Sequence, residues 1–185
     1  YGEVDAEPLL AARDAAGKPP LEALLIARIV PLLQEFPVFN ASISGDDVLE
    51  KLHYDIGFAV DTPEGLMVAV IHDADQRTVD ELGTEVRRLA DAARGRSARP
   101  EELHGQTFTI SNIGAVGGRY GTPIVPYGTT AIVSIGRADP RPIVRNGEVV
   151  VGREFPVSLS YDHRVIDGGT GRVFMGALID ALAAP

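Results

Sequence analysis

Cysteine is absent from this chain of 185 residues. That excludes a disulfide, a thiol nucleophile and a thiolate metal site, and it fits a reducing compartment. Long apolar runs are absent too. The best candidate, Leu21 to Leu33, is broken by Arg28 and Pro31, so no segment is suited to span a bilayer, and no signal peptide is visible. Positive charge is scarce: 17 Lys and Arg against 26 Asp and Glu leave a formal net charge of −9. This argues against nucleic acid or an anionic membrane surface as the main partner. Lysine occurs only at Lys18 and Lys51. That is a compositional bias rather than chemistry. No pair among His53, His72, His104 and His163 has zinc-ligand spacing. A G-x-S-x-G nucleophile elbow is missing as well.

What is present suits one globular domain with a real core: 45% of residues are hydrophobic and 23% charged. Residues 1–19 show mixed character, and Gly17-Lys18-Pro19-Pro20 reads as a break. Leu21, Leu24, Leu25, Ile29, Leu32, Leu33 and Phe36 recur at helical spacing, with Pro31 placed to kink the helix or end its first part. Tyr54–Val60 and Leu66–Ile71 read as buried strands joined by the turn Asp61-Thr62-Pro63-Glu64-Gly65. Thr78 and Glu81 form a capping box ahead of a second amphipathic helix marked by Val79, Leu82, Val86, Leu89 and Ala93. Arg94 to Pro100 reads as a solvated basic loop. Thr107–Ser111 and Thr130–Ile135 are short strands, and Asn146-Gly147 is a hairpin signal between Pro142–Arg145 and Glu148–Val151. Val157, Leu159, Tyr161 and His163 share one face of a last strand. Val173, Phe174, Ala177, Leu178 and Leu182 mark a closing helix. The order suggests α+β with a mixed sheet.

Chemistry concentrates in Ser160-Tyr161-Asp162-His163-Arg164-Val165-Ile166-Asp167-Gly168. Histidine is the side chain best suited to taking a proton near neutral pH, and a strand-to-helix corner holds one rigidly. Asp167 also reads as a helix N-cap, and Asp162 as a solvent-facing residue. Ser111 ends a strand before the glycine-rich stretch Gly114–Gly121. Its hydroxyl could donate to an oxyanion or cap a turn. The glycine stretch runs on into Thr122-Pro123-Ile124-Val125-Pro126, which cannot open a long helix. It therefore reads as a tight loop allowing close backbone approach, not as a dinucleotide fingerprint.

Three motifs carry a family resemblance: Asp162-His163-Arg164-Val165-Ile166-Asp167-Gly168, Thr107-Phe108-Thr109-Ile110-Ser111-Asn112-Ile113-Gly114 continuing through Thr122-Pro123-Ile124, and Asp61-Thr62-Pro63-Glu64-Gly65-Leu66. From about Glu3 to about Leu182 the chain resembles the catalytic domain of dihydrolipoamide acyltransferases, the core component of 2-oxo acid dehydrogenase complexes. The similar chloramphenicol acetyltransferases share the His-x-x-x-Asp pattern, but the Thr109–Asn112 stretch favours the dehydrogenase-complex family.

The resemblance implies a chloramphenicol-acetyltransferase-like α/β two-layer sandwich with a mixed sheet, over residues 1–185. It implies homotrimers with active sites between subunits, extendable to a cubic core. Partners would be a decarboxylase, a dihydrolipoamide dehydrogenase and a lipoyl domain. The chemistry would move an acyl group from dihydrolipoamide to coenzyme A as substrate, with the lipoyl group carried on a separate domain and no metal. By resemblance His163 is the general base, Ser111 stabilises the tetrahedral oxyanion across the interface, and Asp167 holds local structure. Some members carry asparagine in a related position. Asn112, Gly114, Thr122 and Pro123 are candidate substrate contacts. The glycine-rich stretch favours a branched-chain acyl group, with an acetyl-transferring pyruvate-type member or an inactive trimeric scaffold as alternatives. Family domains usually begin earlier, with a basic segment that supplies an arginine, and continue into an apolar tail. Both are expected to be missing here. The expected compartment is the cytoplasm in a bacterium, or the mitochondrial matrix in a eukaryote.

Overall fold

The computed structural model describes residues 1–145 and 147–184. The chain runs β1 (Gly2–Asp5), α1 (Glu7–Ala15), α2 (Leu21–Glu35), β2 (Ala41–Ser44), β3 (Asp47–Glu50), β4 (Ile56–Thr62) and β5 (Gly65–Ile71). It continues with α3 (Val79–Arg94), β6 (Phe108–Asn112), β7 (Ala131–Ile135), β8 (Asp139–Arg145), β9 (Glu148–Tyr161) and α4 (Gly168–Ala183). The main sheet has the order β1-β9-β7-β6-β4-β5, with β8 also on β9, and β2 and β3 form a separate hairpin. β6 runs parallel to β4 and β7, and the other pairs are antiparallel, so the sheet is mixed as expected. No helix among the described residues is long and apolar enough to cross a membrane.

Period-two alternation decides which way each strand faces. Phe58, Phe108, Ile110, Val133, Ile135 and Val157 point into the apolar core with α2, α3 and α4. Thr109, Ser134 and Ser158 lie on the opposite face. Helices on one face of a sheet give the two-layer arrangement.

α2 departs from the amphipathic expectation. Eight of its residues are buried, from Ala23 to Leu33, because it packs between α3 and α4 as well as onto the sheet. Pro31 does not end it. The proline sits on the exposed side, so the Ala27 carbonyl it leaves unbonded can turn to water while the buried side holds the helix together. α3 starts at the foreseen capping box: Thr78 Oγ1 accepts from Glu81 N, and Glu81 Oε2 accepts from Thr78 N at 2.8 Å. Val173 is 60% exposed, so it belongs to the outer face of α4 rather than the core.

Residues 1–19 hold two elements that their composition hides. β1 is made by pairing with β9, Val4 opposite Phe155, and α1 follows with Leu9 buried. The β8–β9 hairpin forms with Arg145 opposite Glu148, and the Asn146 half of its turn signal lies outside the described residues.

Candidate functional site

Ser111 stands where two parallel strands part. β6 pairs with β4 only as far as Phe58↔Ile110, whereas its pairing with β7 runs on through Ser111↔Ser134 and Asn112↔Ile135. The gap beyond Ile110 opens into a cavity of about 560 Å³. Its wall includes Ser111, Asn112, Phe58, Asp61 and Glu22, and α3 supplies Arg87 and Arg94. Asn112 Nδ2 donates to Glu22 Oε1 at 2.8 Å. The chain then turns through Ile113–Val116, and Gly117 takes a φ of 89°.

Gly114 explains the tightness of this turn. A Cβ there would lie 2.8 Å from the Gly136 carbonyl and the Arg137 nitrogen. The backbone approach expected of the glycine-rich stretch is thus made to this chain's own β7 end. Gly118 donates to the Ile113 carbonyl at 2.8 Å, and Arg137 N donates to the Gly118 carbonyl at 2.9 Å. Ser111 is therefore seated by main-chain contacts on the β7 side.

His163 lies outside the strand that was expected to carry it. β9 ends at Tyr161, and His163 sits two residues on, exposed, in a tight turn. The reason is the main chain: Asp162 N makes a last contact to the Thr130 carbonyl at 2.8 Å, and the Asp162 carbonyl then accepts from Val165 N at 3.2 Å and Ile166 N at 3.0 Å. That closes a turn and ends the ladder. Asp162 is not solvent-facing either. Its side chain is 18% exposed and grips Arg164 through Nε at 2.9 Å and 3.1 Å, and through Nη2. The Arg164 guanidinium holds the Asp162 carboxyl below the usual carboxylate range.

Asp167 is the N-cap of α4, accepting from Thr170 N at 2.7 Å. That main-chain hydrogen bond, with the Thr170 hydroxyl, lowers its pKa, and the nearby His163 adds a smaller pull. Beneath the turn, Tyr161 packs edge-on to Phe39 with centroids 6.4 Å apart, and the His163 ring lies 5.6 Å from Tyr161. α4 comes this close because residue 171 is glycine: a Cβ there would be 2.7 Å from the Tyr161 ring.

The fold does not bring Ser111 and His163 together within one chain. Ser111 aligns with Ser134, and Ser134 with Ser158. Tyr161 is about 10 Å further along β9, and β9 is two strand spacings, again about 10 Å, from β6. His163 lies beyond that point, so the two residues occupy opposite ends of the sheet. Thr122 and Pro123 do not join the Ser111 cavity. Thr122 Oγ1 lies 2.5 Å from Tyr1 Oη in a separate cavity of about 570 Å³ formed with Gly2, Glu3, Tyr120 and Gly121.

Sequence reasoning missed Glu22, Tyr161 and Gly171 as parts of the site's support. Glu22 carries no local signal, since its partner is 90 positions away. His72 ties two loops together. His72 Nδ1 lies 3.0 Å from Asp55 Oδ2, and its Nε2 lies 2.8 Å from the Glu101 carbonyl. Burial pushes the His72 pKa down, but Asp55 and the Glu101 carbonyl raise it by more.

Comparison with known proteins agrees with this fold. The acetyltransferase component of the Bacillus subtilis pyruvate dehydrogenase complex is 41% identical over 150 residues, covering 80% of this chain and 34% of the relative. The chain thus spans about a third of the length of the curated relatives it matches. Among solved structures, the Azotobacter vinelandii dihydrolipoamide acetyltransferase has a TM-score of 0.93 at 38% identity, covering 98% of this chain and 79% of that one. It was studied for the role of a serine, a histidine and an asparagine in its catalytic mechanism. The cubic core of a pyruvate dehydrogenase multienzyme complex follows with a TM-score of 0.91 and 35% identity, again covering 98% and 79%. A chloramphenicol acetyltransferase shares the fold, with a TM-score of 0.62 at 18% identity. The branched-chain preference read from the glycine-rich stretch finds no support, because these relatives are of the pyruvate type. That stretch is instead occupied in seating β6 against β7. Residues 3–185 match the 2-oxoacid dehydrogenases acyltransferase (catalytic domain) family, and the chain belongs to it.

Proposed function

We propose that this domain transfers an acetyl group from S-acetyl-dihydrolipoamide to coenzyme A, in the core of a pyruvate-type 2-oxo acid dehydrogenase complex. The observation that carries the reading is a match of spacing inside a matched fold. The serine, histidine and asparagine of the Azotobacter vinelandii enzyme are separated in sequence as Ser111, His163 and Asp167 are here. Asp167 keeps the oxygen that an asparagine would offer as an N-cap.

His163 acts as the general base. Its imidazole takes the proton from the coenzyme A thiol as the sulfur attacks the thioester carbonyl carbon. The carbonyl oxygen becomes an oxyanion and accepts a hydrogen bond from Ser111 Oγ. Collapse of the tetrahedral intermediate re-forms the carbonyl and breaks the bond to the lipoyl sulfur, which leaves with the proton from the imidazolium. The thiols are of similar basicity, so transfer runs in either direction.

Ser111 and His163 sit at opposite ends of one sheet, so one tetrahedral carbon is served by Ser111 of one copy and His163 of another. A ring of three copies supplies three such sites, and rings can build the larger core. Decarboxylase, dihydrolipoamide dehydrogenase and lipoyl domain would be its partners.

The test is transfer between coenzyme A and dihydrolipoamide with acetyl, succinyl and branched-chain acyl donors. Preference for acetyl supports the reading. A preference for another acyl group corrects the substrate, and absence of transfer with every donor favours a scaffold.

A further inference from the structure

The end of β6 is hydrogen-bonded along one side only. Beyond Ile110 the β4 side opens into the cavity, while β7 continues on the other side. A hydroxyl that must meet an oxyanion at about 3 Å tolerates little drift of its strand end. Gly114 secures the β7 side by its contact with Gly136 and Arg137. A different residue secures the open side. Asn112, next to Ser111, donates through Nδ2 to Glu22 Oε1 at 2.8 Å.

Glu22 is well placed to be an anchor. It occupies the first turn of α2, whose next residues Ala23, Leu24, Leu25 and Ile26 are all buried, so its backbone is fixed by the core. A carboxylate also suits a helix N-terminus, and a bond from an amide to a charged oxygen is stronger than a neutral one. The α2 N-cap is Pro20, with no side-chain capping bond. The bond therefore joins a strand end paired on one side only to a buried helix, between two residues that line the cavity.

We infer that Glu22 is a positioning residue for Ser111, tying the open side of the β6 end to α2 through Asn112. The inference rests on the oxyanion role proposed above for Ser111.

The experiment measures kcat and KM for acetyl transfer to dihydrolipoamide in the full-length protein. Glu22→Ala should lower kcat about tenfold with KM little changed, the size of one lost charge-assisted hydrogen bond. Glu22→Gln retains an acceptor oxygen and should stay within about threefold of the parent. Asn112→Ala should match Glu22→Ala, and combining the two should add nothing further. The decisive arm is the Ser111→Ala background, where Glu22→Ala should cost nothing more, because there is no hydroxyl left to place. The same proportional loss in that background would overturn the inference, since a structural role is indifferent to Ser111. Parent-like turnover of Glu22→Ala, or a Glu22→Gln variant as poor as Glu22→Ala, would overturn it too. Should Glu22→Ala fail to fold, the Asn112→Ala pair decides in the same way. Parent-like turnover of Ser111→Ala by itself would instead remove the oxyanion role, and the inference with it.

Discussion

Ser111, near the end of β6, and His163, two residues past the end of β9, lie at opposite ends of one sheet. No side-chain rotation closes that distance, because each must come within about 3 Å of the same reacting group. Shared chemistry between them therefore requires two copies.

This gives a complementation test. Ser111→Ala and His163→Ala should each be close to inactive, by roughly 10²–10³-fold and 10²–10⁴-fold in turnover. Mixed in equal amounts, dissociated and reassembled, they should recover about a quarter of parent activity, because that share of interfaces pairs an intact serine with an intact histidine. A site within one chain would recover nothing.

The Asp167 side chain accepts from Thr170 N, a bond that an asparagine oxygen could equally make. Asp167→Asn should keep near-parent turnover and Tm, and Asp167→Ala should lose turnover together with a few degrees of Tm. Loss of activity in the asparagine variant would assign the charge a direct role.

Gly171→Ala drives a methyl into the Tyr161 ring, 2.7 Å from its nearest atoms. Overpacking of this kind costs about 1–3 kcal/mol. The Tyr161 ring neighbours His163, so turnover should fall alongside thermal stability. A variant with parent Tm and parent turnover would show that the ring relaxes freely.

Acid stability should depend on Glu102. Its carboxyl is held down to about 2 from an ordinary 4.5, by the Arg99 side chain first, then the Arg99 main chain and Arg88. The group binds a proton more readily when unfolded, so its contribution is present above about 4.5 and lost as pH falls through about 2. The Tm gap between parent and Glu102→Gln should narrow over that window. A gap that is constant with pH would mean the carboxylate is not the group responsible.

His72 works in the opposite sense. Its pKa is raised in the fold, so its contribution is full below the ordinary 6.5 and declines as pH rises through the folded value. The Tm difference between parent and His72→Gln should shrink from mildly acidic to alkaline pH. A difference that grows with pH would contradict the pairing with Asp55.

Local signals were legible in the sequence, and long-range ones were not. The Thr78–Glu81 box, the β4–β5 turn and the Asp167 cap are each settled within a few residues, so their chemistry could be read in place. β1 is a strand only because β9 offers it a partner about 150 positions away, and Gly2 to Asp5 alone says nothing of that. Alternation places His163 on a strand, but the bonds from Val165 N and Ile166 N to the Asp162 carbonyl turn the chain first. The motifs found Ser111 and His163, and the resemblance already set them on different subunits; neither said that Thr122 faces Tyr1.

The glycine at position 114 has a consequence for how this domain could diversify. Ser111 is seated by main-chain contacts on one flank, and those are indifferent to the side chains that follow. Ala115 and Val116, the next residues, line the cavity wall and are exposed. Substitutions there can reshape the chamber while leaving the hydroxyl where it is. On the acyl-transfer reading proposed above, the fold would separate the placement of the Ser111 hydroxyl from the shape of the chamber beside it.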